Sequence, residues 1–397
     1  MKLDVAIIGA SSAGLYAAEQ LARYGKRVAV FEQQPELAPA RRTLIITPRL
    51  KHVLGYVPEA AVLHRIHTIS VVAGAASASV RLRDPDLIIE RNLLAQTLAQ
   101  RVEQAGVPIH YGQRFRWFDA HAQGVTLHLQ TTAGDTSTVV ASAVIAADGI
   151  MSNVARAAGL SRPPTVPIIQ AEVCLPPGWN PDVTRVWFDT QETHYFYWLI
   201  PESATHGVVG LVGDEDLPTR VLLEQFLVRH GLQPLEYQGA RVAMYDPTLR
   251  PWGTVGTAPI LLVGDAAGQV KVSTVGGTVS GIWGADAAVR ALTRGTPYTR
   301  ELRSLRRELD LHWFVRWLLD RADNGQYERL VRHISPAVQR FLGHYNRDEM
   351  AGKLWTLALR QPALLLLGGQ LLLRRSFTGA PPPASSTHMP EVVETDD

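Results

Sequence analysis

Hydrophobic residues along this chain fall into runs that need cover on both faces, separated by short polar or glycine breaks. Val5-Ala6-Ile7-Ile8 is apolar at every position, as expected of a strand buried on two sides. A glycine break, a helix from Ala13, and a second apolar strand, Val28-Ala29-Val30-Phe31, follow. Alternating, β-branched stretches at 62–72 and 78–82 predict antiparallel strands. Ile88-Ile89-Glu90-Arg91 then leads into Leu93, Leu94, Leu98 and Val102, a helical spacing that ends at Gly106. Short strands over 109–111, 115–118, 125–130 and 137–140 predict a meander, which feeds a buried strand at 143–148. From 165 to 244 the pattern is short strands rich in aromatics, with one helix near 220–229. Apolar residues from Ile260 restore the buried-strand pattern up to Gly264-Asp265, and a long helix follows Gly277. Beyond 300 the spacing of Leu302, Leu305 and Leu309 is helical.

This order predicts an α/β chain with a discontinuous, Rossmann-like nucleotide-binding domain. Its first part covers 1–164, with substrate-side strands at about 41–90, and its closing part covers 253–299. An antiparallel substrate domain occupies 165–252, a helical region 300–376, and a disordered tail 377–397, where Pro381-Pro382-Pro383 and an acidic end cannot build a core.

Composition narrows the chemistry. The 39 basic and 37 acidic residues balance, so no field draws a polyanion and nucleic acid is excluded as a partner. One cysteine, Cys174, permits neither disulfide nor thiolate cluster, and with no signal peptide legible before the first strand a cytoplasmic setting is expected. The apolar stretch 362–373, between Arg360 and Arg374, falls well short of the roughly 20 residues that cross a bilayer, which leaves peripheral contact at its inner face. No histidine pair has zinc-site spacing, no Gly-x-Ser-x-Gly elbow is present, and no side chain announces itself as a catalytic acid or base.

The opening unit carries the first specific signal. Gly9 permits a sharp turn, so that the helix N-terminus at Ser11, Ser12 and Ala13 offers unpaired N–H groups to a pyrophosphate. Gly14 lets helix and strand approach, and Glu32 is placed for a ribose diol. Ser11 stands where the fingerprint has its middle glycine. Two further strand-to-glycine junctions follow: Asp148-Gly149 with Ser152 and Arg156 behind it, and Gly264-Asp265 followed by Val270-Lys271-Val272-Ser273-Thr274-Val275-Gly276-Gly277.

In this order and spacing the three junctions resemble the flavoprotein family that contains aromatic hydroxylases, flavin halogenases and geranylgeranyl reductases, over about residues 1–300. The resemblance implies FAD as cofactor, Asp265 on a ribityl hydroxyl, Gly276 and Gly277 beside the flavin pyrimidine, and Arg91 and Asp148 near the cofactor. Negative charge on a reduced flavin suits the positive end of a helix starting near Gly277. Phe196-Tyr197-Trp198-Leu199-Ile200-Pro201 resembles the Tyr-x-Trp-x-Phe-Pro strand of geranylgeranyl reductases, which implies that Phe196, Trp198 and Ile200 face an apolar substrate. It also resembles the Trp-x-Trp-x-Ile-Pro strand of halogenases. Lys271 matches the lysine of the reductases' Val-Lys-x-x-Thr-Gly-Gly-Gly motif, and Trp313, Trp317 and 364–367 look like their lid. The expected activity is hydride transfer to C=C bonds of a polyprenyl-type substrate, with NADPH or NADH as donor. A hydroxylase or epoxidase, a halogenase using Lys51 or Lys271, and a non-enzymatic redox sensor or scaffold are the alternatives.

Overall fold

Strand β1 (Lys2–Ile8) lies inside the first sheet because both of its faces are apolar: Val5 and Ile7 enter one core, while Leu3, Ala6 and Ile8 enter the other. The computed structural model describes residues 2–37, 42–345, 347, 348, 353 and 369. Parallel to β1 run β2 (Val28–Phe31) on one side and β9 (Thr136–Ala146) on the other. Parallel neighbours β6 (Ile109–His110) and β16 (Ala258–Leu262) extend the sheet, and β15 (Trp252–Val255) closes one edge antiparallel. Helices α1 (Ser12–Arg23), α3 (Arg91–Gln104) and α6 (Thr278–Arg294) fill one face. The other face is covered by α4 (Asn153–Ala157) and by the meander β7 (Gln113–His121) and β8 (Gly124–Thr131), which pairs onto β9.

The second sheet is ordered β14 (Gln233–Ala243), β10 (Thr165–Cys174), β13 (His206–Val212), β12 (Tyr197–Pro201), β11 (Val183–Phe188), β4 (Val62–Ala73), β5 (Ala76–Glu90) and β3 (Thr43–Ile46). The sheet expected over 165–252 therefore also takes in strands from 43–90, joined through a parallel β11–β4 pair. Residues 78–82 and 88–90, read as separate elements, belong to one strand, β5. Pro85 has no N–H for the ladder, and the pairing with β4 skips from Arg81 to Asp86 around it. Likewise 137–140 and 143–146 are one strand, β9, because its start pairs with β8 and its end with β1.

Alternation decides the two faces of the second sheet. Tyr197 and Leu199 point to α5 (Thr219–Arg229), where the Tyr197 and Phe226 rings stack with centroids 4.3 Å apart. Phe196, Trp198 and Ile200 point the other way, into a cluster with Ile66, Ile88 and Val208. Gly210 lies opposite Trp198, and a Cβ there would sit 2.3 Å from the indole Cζ2. The short α2 (Arg49–Leu54) follows β3, and α7 (Tyr298–Glu301), α8 (Arg303–Leu319), α9 (Asn324–Arg332) and α10 (Pro336–His344) follow α6. Helix α9 covers the β4–β5 hairpin through Tyr327 and Val331. Among the described residues no helix is long and apolar enough to cross a membrane. The stretches 362–373, 364–367 and 377–397 lie outside the described residues.

Candidate functional site

Three turns converge because glycine and alanine let their backbones touch. Gly9 has φ +100°, and a Cβ at Gly9 would sit 2.4 Å from the Ala147 carbonyl oxygen. One at Gly14 would lie 2.3 Å from the Gly9 oxygen and 2.9 Å from Ala147 Cβ. The turn after β16 joins them: Gly264 packs against Ala13 of α1 and against Gly281 of α6, whose own Cβ would be 3.0 Å from Gly264 Cα. Gly9, Ala13, Gly14, Gly264 and the start of α6 thus form one cradle.

Its polar groups are only partly spent on the fold. Ser11 caps α1, its Oγ accepting from the Gly14 N–H at 3.3 Å, which gives the residue at the fingerprint's middle position a structural use. The N–H groups of Ser12 and Ala13 lie in the first turn, where a helix supplies no partner. Glu32 accepts from the N–H groups of Ala10 (2.7 Å) and Gln34 (2.8 Å), and each carboxylate oxygen retains a lone pair for a hydroxyl donor. Asp265 is open to solvent yet ringed by protein, as a group lining a cleft must be. That enclosure raises its carboxyl pKa, opposed by the charge of Arg91. Gly277 caps α6 beside it, with its Cβ position 3.3 Å from Asp265 Oδ1. Gly276 has nothing within 3.4 Å of its Cβ position.

Of the residues expected at the cofactor, Asp148 has partners within the fold, and Arg91 lies near Asp265. Asp148 accepts from Ser152 Oγ (2.6 Å) and the Val154 N–H (3.1 Å), so its carboxylate caps α4, and Gly149 at φ +79° makes the turn between them. Glu90 caps α3 through the Asn92 and Leu93 N–H groups rather than pairing with Arg91. Arg91 is exposed at the start of α3 and acts on Asp265 through its charge.

Beside this cradle the turn 271–276 closes on itself, the Val275 N–H donating to the Lys271 carbonyl at 2.7 Å and the Lys271 N–H to that of Gly276 at 3.1 Å. Val275 packs against the cluster containing Phe196, Trp198 and Ile200, so this side of the second sheet meets the turn that leads into Gly276 and Gly277 here. On its other side the turn holds a buried polar network that sequence reasoning missed. The Lys271 ammonium pairs with Asp348, which also accepts from the Thr47 hydroxyl. Arg347 pairs with Asp86 at 2.8 Å, and His312 Nε2 donates to the Arg347 carbonyl at 3.0 Å while its Nδ1 meets the Ser273 hydroxyl. Burial alone would raise the Asp348 carboxyl pKa, but Lys271 and the Thr47 hydrogen bond hold it below the usual carboxylate range. Only Lys271 carried a sequence signal, because its partner lies 77 residues away.

Lys51, Lys271, Trp313 and Trp317 lie as follows. Lys51 is exposed on α2 and Lys271 is engaged by Asp348, so neither offers a free ammonium at the apolar face. Helix α8 turns Glu308, His312 and Arg316 inward, which leaves Trp313 exposed and places Trp317 against Phe314 and under Arg321 on the outer surface. Neither tryptophan lines the apolar face.

His312 provides a pH test. Burial, reinforced by the Lys271 charge, lowers its pKa from 6.5 to about 4. Between those values the unfolded chain binds the proton and the folded chain does not, so stability falls with pH across that window, by up to ~3 kcal/mol. Thermal unfolding of the parent and of His312→Gln from pH 7 to pH 4.5 should show the parent losing its advantage as pH falls. A constant difference would contradict the assignment.

A family model described as a FAD binding domain matches residues 2–215. Among curated relatives, digeranylgeranylglycerophospholipid reductase 2 of Methanothermobacter thermautotrophicus is 28% identical, covering 70% of this chain and 74% of its own. A Methanopyrus kandleri protein, digeranylgeranylglycerophospholipid reductase 1, is 27% identical over 70% of this chain and 76% of its own. Among solved structures, a geranylgeranyl bacteriochlorophyll reductase-like protein from Thermoplasma acidophilum shares the fold with TM-score 0.80 at 18% identity, over 93% of this chain and 99% of that one. The family match spans more than half of the chain, from β1 through β13, and takes in the cradle of Gly9, Gly14 and Glu32; this chain belongs to the FAD binding domain family.

Proposed function

We propose that this FAD-dependent oxidoreductase reduces C=C bonds of an apolar, polyprenyl-type substrate. The observation that supports this most is the contact of Val275, at the mouth of the glycine cradle, with the apolar face of Phe196, Trp198 and Ile200. A substrate seated there would be held by dispersion and exclusion of water. The relatives named above, by their printed names, reduce geranylgeranyl lipids, and the same chemistry fits this face.

Ser12, Ala13 and Gly14 would take the pyrophosphate at the head of α1, Glu32 the adenosine ribose, Asp265 a ribityl hydroxyl, and the α6 N-terminus at Gly276 and Gly277 the flavin pyrimidine edge. Reduced FAD held in this cradle would supply hydride chemistry for one alkene carbon, with a proton from solvent or a protein group balancing loss of the π bond at the other. The chain's part is to position: the aromatic face excludes water and lays the alkene along the cradle, while the start of α6 favours negative charge on the cofactor. NADPH or NADH is the proposed source of the electrons.

FAD-loaded protein reduced anaerobically with dithionite should add two hydrogens per double bond to geranylgeraniol, as read by mass spectrometry. NADPH and NADH in place of dithionite identify the donor. Uptake of an oxygen atom by the substrate in air, with no anaerobic product, would replace the reductase reading with a monooxygenase.

A further inference from the structure

Val275 is the only non-glycine residue with positive φ among the described residues, at +52°. A β-branched side chain is poorly tolerated there, because its Cβ crowds the backbone, and such strain persists where surroundings or function hold it. The surroundings are visible: hydrogen bonds from Val275 to Lys271 and from Lys271 to Gly276 fix the turn. Glycine would satisfy the same backbone without strain, and the reductases' Val-Lys-x-x-Thr-Gly-Gly-Gly motif has glycine at this place. What glycine could not supply is the isopropyl group, half-buried against the cluster of Ile66, Ile88, Phe196, Trp198 and Ile200. One residue on, Gly276 and Gly277 begin the approach to Asp265.

We infer that Val275 is a specificity-determining residue of this site, a wall that fixes how far a polyprenyl chain advances past the cofactor turn and so which of its double bonds is presented for reduction. The inference rests on the reductase reading above. The strained residue stands between cradle and apolar face, so an alkene laid from that face toward a bound flavin would meet its methyl groups. Removing them would open space at that point; it leaves the dinucleotide cradle as it was.

The test uses FAD-loaded parent, Val275→Gly and Val275→Ala. The glycine variant releases the strain and opens the wall, while the alanine variant opens it with a Cβ still at positive φ. Both are expected to keep the flavin spectrum of the parent, and Val275→Gly to melt no lower than Val275→Ala. With geranylgeraniol, the distribution of reduced positions, located by NMR of the products, should shift at least fivefold at one position in both variants. An unchanged distribution within twofold in Val275→Ala overturns the inference, and so does a Val275→Gly protein that melts below Val275→Ala, since the backbone would then not be strained. A parent that reduces no prenyl alkene removes the reductase reading itself, whereas a parent that reduces geranylgeraniol at the same positions as its variants removes only the role of Val275.

Discussion

Gly14→Val is expected to abolish flavin binding and to destabilise the fold by at least ~3 kcal/mol, seen as a colourless protein melting far below the parent. The new Cβ alone would fall 2.3 Å from the Gly9 carbonyl oxygen and 2.9 Å from Ala147 Cβ, and neither backbone can retreat without separating α1 from β1 and β9. Asp265→Ala makes the informative contrast. Its carboxylate is solvent-open, so the apoprotein should melt as the parent does. Loss of a hydrogen bond from a ribityl hydroxyl to a charged acceptor should weaken FAD binding by about 10- to 100-fold. Titration of both apoproteins with FAD separates the effects. Tight FAD binding by Asp265→Ala would mean that the cleft at β16 holds something else.

Lys271→Met should cost about 3–5 kcal/mol, because Asp348, 2% exposed, would lose the ammonium that pairs with its buried carboxylate. Asp348→Leu should cost a similar amount by stranding the ammonium. The double variant should recover most of the loss, since two apolar side chains of like volume need no partner. Chemical denaturation of the four proteins gives the coupling directly, and additive losses would show that the pair is not the contact that matters. The expectation is large because both groups are shut away from water; an exposed pair such as Arg65 with Glu59 would give a fraction of it.

Local pattern carried a good part of this fold. The run from β1 to Glu32 was legible because two buried strands, a glycine turn and an acid each leave a mark within one short stretch. The shared face of Phe196, Trp198 and Ile200 is read from the resemblance of their strand to that of the reductases, and the alternation of β12 does put the three side chains in one cluster. What was not legible depends on pairings distant in sequence. Nothing near 62–90 reveals that β4 will accept β11, or that β5 continues past Pro85 once β4 offers it a partner on both sides of the break. Asp148 caps α4 through Ser152 and the Val154 N–H, a local use that a following glycine does not reveal. The Lys271–Asp348 pair was beyond reach, since it exists only when chain past α10 returns to the turn before α6.

The parallel pairing of β11 with β4 joins Val183 to Thr68, residues more than a hundred apart. During synthesis the β4–β5 hairpin, with β3 on the far side of β5, leaves the ribosome with one edge of β4 unsatisfied, and it must wait for β11 before that edge is covered. Loop closure of this size sets a slow step, so refolding should lag behind formation of local hairpins and be the stage most prone to aggregation. Expression at low temperature or with chaperones should accordingly raise the yield of native protein more than any surface substitution would.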